Sequence, residues 1–98
     1  MRTITFDPYV LDVLMPDLVG HDKRPAAFVV YLFLLAAATR GKRDTVEASL
    51  QTIAIKTGLS KSTVQEALRH LKRRGLIDPE LQATTSSAVR RVLRPWLR

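Results

Sequence analysis

Residues 49–77 carry the pattern that most constrains the fold, because they predict two short helices joined by a tight turn. Ser49 and Ser60 each precede an amphipathic run, and a serine there caps a helix by accepting a hydrogen bond from a first-turn amide. Gly58 suits the left-handed backbone that ends the first helix, and Gly75 ends the second helix. The segment is therefore predicted to be helix, turn, helix.

The second of these helices is predicted to have one apolar and one polar face. At about 100° per residue, its apolar residues form one stripe, which contains Val64, Ala67, Leu68 and Leu71. The opposite side has no large apolar group and carries Ser62, Glu66, Arg69 and Arg73, flanked by Lys61, Gln65 and Lys72. The stripe should pack on the core, so the other side should meet a polar partner.

Four residues have a spacing that resembles the helix-turn-helix signature of prokaryotic DNA-binding proteins: Ala54, Gly58, Leu59 and Val64. The end of the second helix and the residues after it look like the recognition helix and first wing strand of winged-helix regulators, through Leu68, Leu71, Gly75, Leu76 and Ile77. Residues 7–77 are similar to helix-turn-helix domains of bacterial transcriptional regulators and plasmid replication initiators. Thr57 and Ala67 depart from the family pattern, which usually has bulkier apolar groups there.

The resemblance implies a mainly α fold with a small β-wing. In this winged helix-turn-helix, a three-helix core carries an N-terminal helix and a short antiparallel sheet. The expected single domain, residues 1–98, is divided into four parts: an N-terminal extension (1–24), a core helix (25–40), the helix-turn-helix (49–75) and a wing (76–98).

The wing is expected to contain short strands. Residues 45–48 and 76–77 are candidates, residues 80–87 are polar and turn-like, and residues 89–94 alternate loosely and contain β-branched groups, which favours a returning strand. A C-terminal helix capped by Ser87 is the alternative for this last segment. Trp96 is expected to close the core at the end of the sheet.

Two helices are predicted before the helix-turn-helix. The first should begin at Asp7 and end before Pro16, because proline disfavours helical backbone in the preceding residue. Residues 17–24 are expected to form a loop, with Gly20 as a breaker. The core helix over residues 25–40 should come next and stop at Gly41.

The core helix is apolar on nearly every side, so it could cross a membrane, lie buried in the protein or pair with a second chain. Its apolar run over residues 26–38 falls short of the roughly 20 residues that span a bilayer, so a buried helix is predicted. An exposed apolar face would favour association. A homodimer through the apolar N-terminal helices is therefore expected, and no membrane partner.

Charge is distributed unevenly. Residues 1–49 contain equal numbers of acidic and basic side chains, so residues 50–98 carry the whole net charge of +7. This asymmetry is typical of a phosphate-binding face. Five or six phosphate contacts would give a salt slope of roughly −5 per chain.

The candidate DNA contacts lie on the second helix, at its cap and on the returning strand: Ser60, Lys61, Ser62, Thr63, Gln65, Arg69, Lys72, Arg73, Arg90 and Arg91. Arg69 is the candidate guanine ligand, because arginine bonds bidentately to the major-groove edge of that base. Lys61, Ser62 and Gln65 should lie nearest the bases or their flanking phosphates. Ser60 and Thr63 are expected to bond phosphate oxygens. The DNA backbone should be neutralised by the remaining cations: Lys72, Arg73, Arg90, Arg91 and Arg94.

The sequence contains no motif typical of metal binding or catalysis. The chain has no cysteine, and neither His21 nor His70 belongs to a metal-ligand motif, so no metal, cofactor or small-molecule ligand is expected. His70 is expected to contact phosphate or solvent, and Glu66 to pair with Arg69 or His70 or to contact cytosine. No catalytic motif supports an enzyme, and the absence of a signal peptide and of cysteine favours the cytoplasm, with nucleoid association on DNA.

The function predicted from these features is sequence-specific binding of double-stranded DNA by a transcriptional regulator. A replication initiator or plasmid maintenance protein is the first alternative, since such proteins contain similar winged helices. A winged helix used for protein contact is the second.

Overall fold

A computed structural model of the protein describes residues 2–78 and 89–97. The elements formed by these residues are π1 (Val10–Leu14), π2 (Pro16–His21), α1 (Pro25–Arg40), β1 (Thr45–Glu47), α2 (Leu50–Thr57), α3 (Lys61–Arg73) and β2 (Val89–Arg91). Helices predominate, and the two strands form a small antiparallel sheet. The winged helix-turn-helix architecture is thus confirmed. The expected turn over residues 80–87 lies outside the described residues.

The helix α1 is central, because it contacts π2, α2, α3 and β1. Its side chains Val30, Tyr31 and Leu34 are fully buried. Apolar groups from the surrounding helices complete the core: Val10, Leu14, Leu18, Ile53, Val64, Leu68 and Leu71. A single chain therefore covers most of the apolar surface of α1, and a second protomer is not needed for that purpose.

The strands β1 and β2 pair with a register that places Thr45 opposite Arg91 and Glu47 opposite Val89. The returning segment is therefore a strand over these residues, as predicted. The alternative of a helix is wrong for this segment. The backbone groups of β2 are satisfied by hydrogen bonds to β1, which lies far away in the sequence. The strand therefore depends on a tertiary contact.

Residues 76–77 pair with the chain beyond β2 but do not form a strand of their own. Ile77 makes an isolated antiparallel bridge with Val92. The amide of Leu93 donates to the carbonyl of Leu76 over 2.9 Å. The first wing strand predicted there is thus reduced to a short contact that joins the end of α3 to the sheet.

The N-terminal helical segment runs further than the sequence predicted. It continues through Pro16 to His21, with Gly20 inside it, so the predicted end before Pro16 is wrong, and the loop predicted over residues 17–24 is reduced to residues 22–24. Leu18 is fully buried in the core, and π2 contacts α1. Burial of this side chain offsets the weak helix propensity of its neighbours.

Wide turns explain how the segment accommodates proline. Met15 donates its amide to the carbonyl of Val10, and Asp22 donates to Asp17 over 2.8 Å, each reaching five residues back. In an α-helix, the ring of Pro16 would clash with the carbonyl four residues earlier. The wider π-helical turn relieves that clash.

Side-chain interactions order the N-terminal segment and fasten the C-terminal residues to the helices. Asp7 caps the first helical segment by accepting from the Tyr9 amide over 2.9 Å. The ring of Tyr9 stacks on Trp96, with centroids 4.7 Å apart. The Tyr31 hydroxyl donates to the carbonyl of Leu93 over 2.8 Å, and burial raises the pKa of Tyr31, so this donor stays protonated. Trp96 therefore closes the core, as predicted.

Candidate nucleic-acid interface

The turn between α2 and α3 is built by local interactions. The hydroxyl of Ser49 accepts from the amide of Thr52 over 3.1 Å, which begins α2. Gly58 ends α2 with φ of 79°, a left-handed conformation that favours glycine, and donates to the carbonyl of Ala54 over 2.9 Å. These contacts confirm the predicted cap and turn.

Ser60 caps α3. Its hydroxyl accepts from the amide of Thr63 over 3.1 Å and lies 2.8 Å from the Thr63 hydroxyl. The hydroxyl of Ser62 lies 3.2 Å from that of Ser60. Three hydroxyls are thus gathered at the start of α3, where the positive end of the helix dipole favours anions.

The two faces of α3 separate as the sequence predicted. The stripe of Val64, Ala67, Leu68 and Leu71 is buried. The opposite face is exposed to solvent and carries Lys61, Ser62, Gln65, Glu66, Arg69 and Arg73, with Lys72 half-buried beside it. Glu66 makes no ion pair with Arg69 or His70, all three being described residues. Nη2 of Arg73 lies 3.3 Å from Nδ1 of His70. The outward face of α3, hereafter the polar face, is therefore exposed to a partner, with only Arg73 in contact with the clasp.

The sheet beside α3 has one inward and one outward arginine. Arg90 is buried, and its Nε donates to the carbonyl of Ala48 over 3.3 Å. Burial lowers the pKa of the Arg90 guanidinium. Arg91 points to the other side of the strand and remains half-buried, with its Nε 3.6 Å from Oδ2 of Asp44. Only Arg91 of this pair has an accessible charge, contrary to the expectation for Arg90.

An ion-pair cluster, hereafter the clasp, joins the end of α3 to π2. Nε2 of His70 lies 2.7 Å from Oδ2 of Asp22. Arg74, just beyond α3, donates through Nη2 to Asp17 and places its Nε 3.0 Å from the same oxygen of Asp22. The expected phosphate or solvent role of His70 is wrong, since its ring is engaged within the protein.

The clasp lowers the pKa of Asp22 to about 2. The largest cause is the hydrogen bond from His21, whose Nδ1 lies 3.0 Å from Oδ1 of Asp22, and the bond from His70 is the second. The positive charge of Arg74 acts in the same direction, while burial acts against it. Asp22 is therefore a carboxylate throughout the physiological pH range.

Part of the clasp has the composition of a cation site. Ligand atoms of Asp17, His21 and Asp22 lie within 4.8 Å of one another. Both carboxylates, however, already bond the guanidinium of Arg74. A guanidinium in that position supplies the positive charge that a metal ion would bring, so we interpret the cluster as an ion-pair network.

The structure thus brings most of the predicted contact residues together on one helix, and it adds residues that the sequence did not indicate. Asp17, Asp22 and Arg74 belong to the clasp with His70, although the two aspartates are far from Arg74 in the chain. Only the position of Arg74 near a helix end gave a local signal, and it suggested stabilisation of the helix dipole rather than an ion pair.

Comparison with known proteins identifies the family. Residues 21–77 match the family described as a helix-turn-helix domain, and because this match covers more than half of the sequence, the chain belongs to that family. Membership indicates DNA as the binding partner. No curated protein and no solved structure matches the chain. Among the described residues, no helix combines the length and apolar character required to cross a bilayer.

Replacing Asp22 by alanine should lower the free energy of unfolding by about 2 kcal/mol near neutral pH, because charge-assisted hydrogen bonds are lost. The folded pKa of about 2 lies below the ordinary value of 3.8, so the carboxylate stabilises the fold above about pH 4. That contribution should disappear as the pH falls towards 2. Urea unfolding of wild type and Asp22→Ala across this range measures it.

Asp12→Ala is the matched control, since Asp12 is an exposed carboxylate on π1. It should leave the stability nearly unchanged at every pH. A difference between wild type and Asp22→Ala that stays constant from pH 6 to pH 2 would contradict the role assigned to Asp22.

Proposed function

We propose that the chain binds double-stranded DNA by laying α3 in the major groove, and that it reads base sequence there as a transcriptional regulator. The observation that carries this proposal is the orientation of α3: its apolar stripe is buried while its polar face is exposed. A helix held in this way fits the width of the groove, about 12 Å. Family membership supports DNA as the partner.

The base contacts are assigned to the exposed side chains of the polar face. Lys61, Ser62 and Gln65 occupy the first turns of α3, which approach the groove first in helix-turn-helix domains. Arg69 lies one turn further and is free of ion pairs within the described chain. Its fork of donors matches the O6 and N7 acceptors of guanine, so it is the proposed reader of that base.

The phosphate contacts are assigned to groups that flank the polar face. Ser60 and Thr63 lie at the positive end of α3, while Lys72 and Arg73 lie at its far end. Arg91 supplies charge from the sheet. Arg90 and Arg74 do not belong to this set, because the first is buried and the second bonds Asp17 and Asp22.

The proposal is tested by selecting bound fragments from a random duplex library and measuring the affinity of variants for the selected sequence. Arg69→Ala should weaken binding to that sequence by about 1–3 kcal/mol and relax selectivity at one base pair. Arg73→Ala, a phosphate contact in this proposal, should weaken binding to every sequence equally. Equal losses on all sequences for Arg69→Ala would reassign Arg69 to a phosphate.

The two arginines of β2 offer a second test, because their burial differs. Arg91→Met should reduce the slope of log K against log salt by about 1 and leave unfolding nearly unchanged. Arg90→Met should leave that slope unchanged and alter stability instead, since it removes the bond to Ala48. Filter binding across a salt series and thermal unfolding measure the two quantities. The proposed roles are refuted if the variants exchange these effects.

The same DNA-binding surface is compatible with a replication initiator or plasmid maintenance protein. Footprints on repeated origin sequences, rather than on promoters, would identify that role. A winged helix used for protein contact would bind duplex DNA only weakly and with no preferred sequence. The accessible cations of the polar face favour DNA over such a partner.

The homodimer through the N-terminal helices is retained as a proposal, with an exposed strip of π1 and π2 as its surface instead of α1. Leu11, Met15 and Val19 are about four residues apart on the N-terminal segment and stay partly exposed, at 48%, 40% and 38%. Pairing of two such segments would cover this strip. Leu11→Glu should then shift a dimer to monomer in sedimentation, with Asp12→Lys as control. A monomeric wild type would contradict the proposal.

We place the protein in the cytoplasm, associated with the nucleoid when DNA is bound.

A further inference from the structure

A basic cleft opens at the C-terminal end of α1. It is about 510 Å³ in volume and open to solvent, and the residues that line it are Ala38, Thr39, Lys42, Arg43, Asp44 and Arg94. Three of these side chains are cationic and one is acidic. Arg40, which is exposed in the last turn of α1, adds a further positive charge nearby.

The positive charge of this basic cleft is not neutralised from within the described chain. Lys42, Arg43 and Arg94 form no ion pair with another described residue. The acid in the wall, Asp44, faces a different cation, because its Oδ2 lies 3.6 Å from Nε of Arg91. A surface with this excess of unpaired cations attracts polyanions.

Stabilisation of the α1 dipole does not by itself explain why these cations lie at the end of the helix. The last carbonyls of α1 already accept backbone hydrogen bonds: Gly41 donates to Ala37, Lys42 to Thr39 and Arg43 to Ala38, over 3.0–3.1 Å. Lys42 adopts φ of 54°, a left-handed conformation that is uncommon for lysine. Such conformations concentrate at functional positions, and here it gives a fixed turn that exposes two adjacent cations.

The basic cleft is separate from the polar face of α3. No residue of α2 or α3 lines it. The clasp joins the end of α3 to Asp22, just before α1, whereas the cleft lies at the other end of this 16-residue helix. At about 1.5 Å per residue, the two ends of α1 are roughly 24 Å apart. Of the contacts proposed for the first duplex, Arg91 neighbours the cleft, with its Nε 3.6 Å from Oδ2 of Asp44, and the variants that test the cleft therefore leave Arg91 unchanged.

We propose that Lys42, Arg43 and Arg94 form a second phosphate-binding surface, which takes a second DNA duplex while α3 occupies the first. This inference rests on the proposed function. Guanidinium and ammonium groups are the usual phosphate ligands, and an open cleft fits the edge of a duplex. The residues of the cleft belong to the end of α1, the turn after it and the chain beyond β2, so no helix projects there to enter a groove, and the second duplex is held by its phosphates without sequence preference. One chain thereby connects two DNA segments.

The test is a capture assay with two duplexes. A duplex with the α3 target sequence is fixed on beads and saturated with protein, and a fluorescent duplex of unrelated sequence is then added. The cleft variant is Lys42→Asn with Arg43→Gln, because asparagine tolerates left-handed backbone. The variant loses two phosphate contacts, and at 0.1 M salt this loss should reduce capture of the fluorescent duplex at least about ten-fold. Affinity for the first duplex should change less than about two-fold.

The matched control is Arg2→Gln with Arg24→Gln, which removes equal charge from exposed positions outside the cleft. It should retain capture, and thermal unfolding should confirm that both double variants are folded. A single variant, Arg94→Gln, should reduce capture through the opposite wall of the cleft.

The outcomes separate this inference from the proposed function. If wild type binds the first duplex through Arg69 but captures no second duplex, or if the cleft variant captures as well as wild type, the second surface is refuted and α3 binding stands. Equal loss in the control pair also refutes it, because charge alone would then account for capture. If wild type binds no duplex, the proposed function itself fails.

Discussion

The packing of α3 on α1 determines which side of α3 faces solvent, and the proposed activity depends on that orientation. Val64 and Leu71 of α3 are fully buried in the core that surrounds Tyr31. Burying one such aliphatic side chain is worth about 1.5–3 kcal/mol. An exposed ion pair contributes about 0–1 kcal/mol. Hydrophobic packing therefore fixes the rotation of α3 about its axis, and charges on the polar face are left available for a partner.

The clasp adds a second constraint at the far end of α3. Asp17 and Asp22 bond Arg74, and Asp22 also bonds His70. These contacts tie the end of α3 to π2 and thereby to the start of α1. They also neutralise one arginine, while burial removes Arg90 from the surface. Fewer cations are thus accessible to DNA than the number of lysines and arginines in residues 50–98 suggests.

Features determined by neighbouring residues were predictable from the sequence. The caps Ser49 and Ser60 and the left-handed Gly58 act within three or four positions, so their spacing sufficed. The end of the N-terminal helix was not predictable, because Pro16 is a local helix breaker whereas burial of Leu18 against α1 is a tertiary effect.

The same distinction explains the errors at the candidate site. Alternation along a strand predicts that Arg90 and Arg91 face opposite sides, but only the pairing with β1 decides which of them is buried. His70 has the spacing of a surface residue on α3, and its partner Asp22 belongs to a different element. Neither long-range contact leaves a periodic signal in the sequence.

The stack of Tyr9 on Trp96 has a practical consequence. Trp96 is the only tryptophan in the chain, and the ring beneath it belongs to the N-terminal segment, so its fluorescence is a single-site probe of how that segment docks. Detachment of the segment would unstack the indole and expose it to water. Emission from this one side chain could therefore monitor docking in real time, with no label attached.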